Sequence, residues 1–231
     1  MSEDGPAGPR PTSSWLDETR ASYDADAPGY RDEVDGILDR LPHLRAHLRL
    51  FADLIGRTAN GPVADIGCGP GYATGLLHDL GLYAFGIDLS PEIIEIARRE
   101  HPGIPFEVGT MTDLDLEDES LAGLIAFWST IHIPDDSMPG VLDGFHRILR
   151  TGGSALIGFH VGEGLTHSSS GYTRRPISLD THLRRMDTMS GWLRAAGFAI
   201  DSETLFRPDE RTPAALILAH RRRSTPARLI R

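Results

Sequence analysis

VADIGCGPGYATG, from Val63 to Gly75, begins as a short apolar run closing on Asp65 and Ile66, then sets glycines at 67, 69 and 71 before a segment able to start a helix. That is a strand, a bare-backbone turn and a helix N-terminus. Glycine at such a turn tolerates positive φ and lets a ligand press against main chain, while the N–H groups and dipole of the next helix favour negative charge. A nucleotide-like ligand fits, and its identity depends on the residues around the turn.

On either side, strand and helix textures alternate. Apolar runs at 62–66, 82–87, 104–108, 121–128, 153–160, 198–206 and 214–219 are strand candidates, and amphipathic stretches at 72–80, 91–100 and 136–149 are helix candidates. The second helix opens on Ser90 and Pro91, a cap and a first-turn residue. The link between 108 and 121 is too short for a helix. Such alternation predicts a parallel sheet covered on both faces, with ligands at the carboxyl ends of its strands. The last two strands, joined by a Pro-containing loop of hairpin length, predict an antiparallel edge. Upstream, Val34, Ile37, Leu38 and Leu41, then Leu44, Leu48, Phe51, Leu54 and Ile55, recur at helical spacing and predict two helices divided near Pro42.

A chain of 231 residues with 40% hydrophobic content can bury one sizeable core. One domain is expected over 15–220, its helical segment 15–58 forming a lid. Residues 1–14, rich in Pro, Gly and Ser, read as a disordered tail, and 221–231 as a basic, solvated one. A net charge of -10 argues against a phosphate-backbone footprint, so nucleic acid is a poor partner. Cys68, the single cysteine, allows no internal disulfide, and no apolar run reaches the ~18 residues of a membrane span. The start of the chain lacks the basic and apolar regions of a signal peptide, so a cytoplasmic protein, monomer or homodimer, is expected.

A dinucleotide fingerprint would carry a third glycine where Tyr72 stands, which weakens a nicotinamide reading. Asp88 closes the second strand 21 residues beyond Gly67, the spacing at which a carboxylate meets ribose hydroxyls. Asp65, just before the turn, would repel a pyrophosphate and welcome a cationic amino-acid portion through bound water. S-adenosylmethionine has that portion.

Here the sequence resembles the class I S-adenosylmethionine-dependent methyltransferases. VADIGCGPG is similar to their first motif and GIDLS to their ribose-binding strand end. FEVGTMTDLDLEDESLAGLIAFWSTIHIPD is similar to their third and fourth motifs, FHRILRTGGSALIGFH to their fifth strand, and WLRAAGF to the helix before their terminal hairpin. The order of these motifs, over roughly residues 20–220, gives the resemblance its specificity. It implies an α/β, Rossmann-like doubly wound sheet of seven mostly parallel strands with an antiparallel last strand, preceded by N-terminal helices. It also implies the small-molecule branch of the superfamily. Under it, Asp65, Gly67, Gly69 and Gly71 would cradle the methionine part of the cofactor, Asp88 the ribose and Leu89 the adenine. Thr110 stands where many relatives place an acid for the adenine amino group, and Met111 would offer its backbone N–H. SYDADAPGY is similar to their lid helix, which would make Tyr23 or Tyr30 a donor to the cofactor carboxylate, against ordinary helix packing for both tyrosines.

His132 follows the fourth strand and His160 ends the fifth, so both are expected at the rim where acceptor meets cofactor. A neutral imidazole there can take a proton from the group being methylated, or can simply hold a loop. His167 is open to the same two readings. His43, His47, His78, His146 and His220 are read as structural or solvated, and Cys68 as a packing residue. No paired-ligand spacing supports a metal, even through His132, His160 and Glu163. Strand alternation sends Trp128 toward the cofactor edge and Phe127 into the core. The 161–178 stretch is long for a connection and reads as a substrate cover or a solvated linker. As a cover it would bring Tyr172, Arg174 and Arg175 to the acceptor, the arginines favouring an anionic group. The expected reaction is methyl transfer to an oxygen or nitrogen of a small molecule, with S-adenosylhomocysteine as product. A nucleic-acid amino-methyltransferase would carry D/N-P-P-Y/F where WSTI stands at 128–131. A cofactor-binding protein without turnover and a nicotinamide oxidoreductase are the alternatives.

Overall fold

β1 (Val63–Ile66) has all four side chains buried, as a strand covered on both faces requires. It pairs in parallel with β2 (Ala84–Asp88) on one side and β4 (Leu121–Phe127) on the other. The computed structural model describes residues 12–58, 61–207 and 213–222. In it β3 (Phe106–Val108), β5 (Leu149–His160), β8 (Phe198–Phe206) and β9 (Ala214–Arg221) complete a seven-stranded sheet ordered β3-β2-β1-β4-β5-β9-β8. β1 to β5 run parallel, and β9 runs antiparallel to both its neighbours. All seven predicted strands are present. β5 starts earlier than its apolar run because Leu149 already pairs with Leu121 across an irregularity in the ladder.

α5 (Tyr72–Asp79), α6 (Pro91–Glu100), α7 (Met138–Ile148) and α8 (Met186–Ala195) cover the sheet. Ser90 caps α6 by accepting from the Ile93 N–H at 3.2 Å, with Pro91 in the first turn. On one face Leu48, Phe51 and Leu77 pack with Ile125 and Leu156; on the other, Phe145, Met189 and Leu193 pack with Leu124 and Ile157. Each such side chain contributes about 1.5–3 kcal/mol by leaving water.

Two expectations need correction. Among the described residues the N-terminal region holds four helices, not two: α1 (Thr12–Ala25), α2 (Ala27–Val34), α3 (Ile37–Arg40) and α4 (Pro42–Thr58). Pro28 starts α2, and Gly36 at φ 63 turns the chain before α3. α1 begins inside the stretch expected as a tail; residues 1–11 and 223–231 lie outside the described residues. The 161–178 stretch is no loop. It belongs to an antiparallel hairpin of β6 (Gly164–Ser170) and β7 (Pro176–Leu183), apart from the main sheet. β6 is exposed along its whole length and only β7 is partly covered, so the stretch has no apolar alternation to mark it as strand.

Candidate active site

The glycine turn is held from both sides. Gly67 and Cys68 donate their N–H groups to the Ile87 carbonyl at 2.7 and 3.1 Å, tying the turn to β2. Gly67 has φ 74, and a Cβ there would stand 2.2 Å from Ser129 Cβ. Ser129 cannot retreat freely, because its hydroxyl donates to the Ile66 carbonyl at 2.8 Å. Asp88 accepts from Gly69 N at 2.9 Å and Ser90 N at 3.0 Å, fixing the carboxylate at the end of β2. Burial pushes its pKa up, and those two amides oppose the shift. The Ser90 hydroxyl donates in turn to Asp24 on α1, so the lid is fastened to the same corner.

At this corner, where the strand order reverses beside β1, lies an inner cavity. It brings Gly67, Asp88, Leu89, Thr110 and Met111 together with Tyr23, Tyr30, Trp128 and His132. Asp65, Gly69 and Gly71 are not in its wall. Asp65 sits behind the turn, 2% exposed, accepting from Thr74 Oγ1 at 2.7 Å, and burial pushes its pKa up to about 7. Gly71 starts α5 at φ 91, and a Cβ there would meet the Phe106 ring at 2.8 Å, so its bareness serves packing. Cys68 is buried among Ile94, Ala97 and Phe106.

A second, larger cavity opens under the hairpin and shares Tyr23, Tyr30, Trp128 and His132 with the first. His160 and Tyr172 line only this outer one, and Tyr172 lies against Tyr30 with ring centroids 5.9 Å apart. Trp128 has φ 48, a left-handed conformation that costs a non-glycine residue about 1–3 kcal/mol. Its N–H still donates to Gly158 O at 2.9 Å, so the ladder holds as the chain turns and places the indole between the cavities. His167 and Arg174 are in neither wall: His167 pairs with Asp180 at 2.7 Å on the hairpin, and Arg174, φ 61, is exposed at its tip. Arg175 donates to the Ala25 carbonyl at 2.9 Å, and neither arginine lines the outer cavity.

His132 joins three elements. Its Nδ1 lies 2.7 Å from the Asp180 carbonyl of β7, which can only accept, so Nδ1 carries the proton. Nε2 of the neutral ring then accepts from the Tyr23 hydroxyl of α1 at 2.8 Å. Burial pushes the His132 pKa down to about 4, assisted by His160, His182 and Arg184. Burial likewise raises the Tyr23 phenol, so both groups stay neutral at ordinary pH. Beneath them the buried Arg184 guanidinium donates to Thr130 O at 2.8 Å and to Ile133 O, and pairs with Asp135 at 2.9 Å. That fastens the 3₁₀ turn Thr130–His132 to the foot of the hairpin. Ser129, Arg184 and the Asp180 carbonyl carry no signal in sequence; only the fold makes them neighbours.

A family profile described as a methyltransferase domain matches residues 63–153. The chain is 26% identical over 124 residues to a probable S-adenosylmethionine-dependent methyltransferase of Mycolicibacterium smegmatis, covering 54% of this chain and 48% of that protein. The likeness to a methyltransferase domain thus runs from β1 into β5. A demethylmenaquinone methyltransferase of Chlorobaculum parvum is 32% identical over 96 residues, covering 41% of this chain and 39% of that one. The chain thus spans about half the length, or less, of these curated relatives. In fold, it matches the Burkholderia thailandensis 1,6-didemethyltoxoflavin-N1-methyltransferase, solved with that compound and S-adenosylhomocysteine, at a TM-score of 0.67 and 20% identity, covering 96% of this chain and 94% of that one. The methyltransferase cofactor suits the inner cavity: Gly67 leaves a cradle that a Cβ would fill, and Asp88 is a half-buried acceptor at its wall. No helix of the described residues is long and apolar enough to cross a membrane.

Proposed function

We propose that the protein transfers a methyl group from S-adenosylmethionine to an oxygen or nitrogen of a small molecule held in the outer cavity. One observation supports this above the rest: two cavities meet at a common wall of Tyr23, Tyr30, Trp128 and His132. Bound in the inner cavity, the cofactor supplies a sulfonium methyl group open to in-line displacement. Asp88 holds the ribose hydroxyls, the bare backbone at Gly67 admits the methionine portion, and Leu89 and Met111 lie against the adenine with Thr110 as a polar neighbour. Tyr23 and Trp128 exclude water between the two ligands. Charge disperses during such a transfer, so alignment and dryness are the main contributions required of the protein.

Calorimetry with S-adenosylhomocysteine and with NAD tests the donor. The first should bind and the second should not, and the reverse result removes the reading. Incubation with S-adenosylmethionine and a metabolite pool, followed by mass spectrometry, should show a compound heavier by one methyl group. Donor binding without any such product would make the protein a cofactor sensor.

A further inference from the structure

We propose that the outer cavity takes a planar aromatic acceptor bearing an acidic hydroxyl, and that this hydroxyl loses its proton through Tyr23 to His132 rather than to His132 directly. The inference rests on the methyl-transfer reading above and names the acceptor class and the proton route within it.

The cavity's shape and lining select the acceptor. Tyr30, Tyr72, Tyr172 and Trp128 present rings to one space, with Ile37 and Leu179 filling between them. Rings on several sides favour a flat, polarisable guest, which can lie face-on or edge-on to them. Arg40, the guanidinium at this wall, is turned back onto the carbonyls of Glu33 and Asp35, so it does not favour a carboxylate guest.

Hydrogen bonding selects the route. His132 Nε2, the only basic nitrogen its tautomer offers, is already engaged by the Tyr23 hydroxyl at 2.8 Å, and Nδ1 by Asp180 O at 2.7 Å. Tyr23 lines both cavities, and its hydroxyl occupies Nε2, so a guest in the outer cavity reaches the imidazole through Tyr23 Oη. The guest hydroxyl donates to Tyr23 Oη; as its proton transfers, the Tyr23 proton moves to Nε2. The freed oxygen pair forms the bond to the methyl carbon while the carbon–sulfur pair stays on sulfur. One positive charge thus leaves sulfur and one appears on His132, and total charge is unchanged.

Surroundings limit the strength of this base. His132 faces Tyr23 from α1, His160 from β5, the Asp180 carbonyl and His182 from β7, and the Arg184 guanidinium just beyond β7. Only the carbonyl among these favours an imidazolium. A base so weakened matches a phenol or enol, whose proton is already loose, and not an alkanol.

The test uses the full chain saturated with S-adenosylhomocysteine and three probes of similar size: 4-nitrophenol, nitrobenzene and cyclohexanol. Calorimetry should show 4-nitrophenol binding about tenfold tighter than either of the others, and Tyr23→Phe should erase its advantage over nitrobenzene. With S-adenosylmethionine, at a pH where 4-nitrophenol keeps its proton, its conversion to the methyl ether, followed by mass spectrometry, should slow by about 100-fold in both Tyr23→Phe and His132→Gln. Should Tyr23→Phe fail to fold, His132→Gln carries the same test. Equal binding of all three probes by a protein that binds the donor overturns this inference alone, and so does a Tyr23→Phe protein that keeps its preference for the phenol. A parent protein that binds no S-adenosylhomocysteine overturns the methyl-transfer reading beneath it.

Discussion

The inner and outer cavities are built by different means. The inner one is made of backbone and short side chains at the ends of parallel strands: Gly67, Asp88 and Ser129 are fixed by bonds to β1, β2 and the turn that follows them. The outer one is made of long side chains from the lid helices and the hairpin, fastened to one another at Tyr23–His132, Asp26–Thr173 and Ser22–Ser178. A donor common to a whole family can be held by a rigid frame, whereas an acceptor is chosen by attached pieces that change without disturbing the sheet. The two cavities should therefore respond differently to damage.

The largest effect is expected where the frame has no slack. Gly67→Ala places a Cβ in a left-handed residue and against a tethered Ser129, and should cost about 4 kcal/mol of stability in urea denaturation. A loss below about 1 kcal/mol would show that the turn adapts and that the rigid half is not rigid.

Protonation gives the next contrast, because the two regions titrate with opposite sign. Folded His132 is protonated only below about 4 against an ordinary 6.5, so its contribution is complete above 6.5 and is lost as pH falls through 4. Folded Asp65 keeps its proton up to about 7 against an ordinary 3.8, so its contribution is complete below 3.8 and is lost as pH rises through 7. The first is worth up to about 3 kcal/mol and the second up to about 4 kcal/mol. Measured against the parent between pH 4.5 and 7.5, His132→Gln should gain relative stability toward acid and Asp65→Asn toward the neutral end. Parallel slopes in the two variants would break the contrast.

Smaller again is the effect of Asp88→Ala on the donor. Loss of a half-buried carboxylate that orders the Gly69 and Ser90 amides should weaken S-adenosylhomocysteine by about 2 kcal/mol, or roughly thirtyfold, in calorimetry. Unchanged affinity would take the ribose role away from Asp88.

The same contrast explains what was legible in the sequence. The inner frame is local: Val63–Ile66, the glycine turn, the Asp88 strand end and the Ser90 cap are each a few residues long and obey short-range rules, so their order alone predicts the sheet. The outer cavity depends on contacts far apart in the chain. Tyr23 and His132 are 109 residues apart, and His132 and Asp180 are 48 apart. No periodicity links such positions. The hairpin was missed because a strand pair exposed on one side and resting on a polar lid face needs no apolar alternation. Arg184 was missed because nothing in HLRRM distinguishes the buried arginine from its exposed neighbour Arg185. Asp65 lies behind the turn for a related reason: sequence gives the position of a carboxylate along a strand, and only packing decides which side of the glycines it occupies.

The smallest effect tests the attachment itself. Asp26 is 4% exposed at the junction of α1 and α2, and its carboxylate accepts from the Thr173 N–H at 3.2 Å and from the Thr173 hydroxyl, holding the hairpin tip on the lid. A Cβ at Gly171 would stand 2.3 Å from Asp26 Oδ2, so the chain there is already pressed onto the carboxylate. Asp26→Ala removes the acceptor but leaves the sheet, both core layers and the donor frame intact. Global stability should fall by only about 1 kcal/mol, since the hairpin buries little. Local opening should increase more visibly, with the Thr173 amide exchanging with solvent about tenfold faster while amides in β1 and β4 keep their protection. If β1 and β4 lost protection in step with Thr173, hairpin and sheet would open as one cooperative unit, and the division between a fixed donor frame and an attached acceptor cover would not describe this molecule.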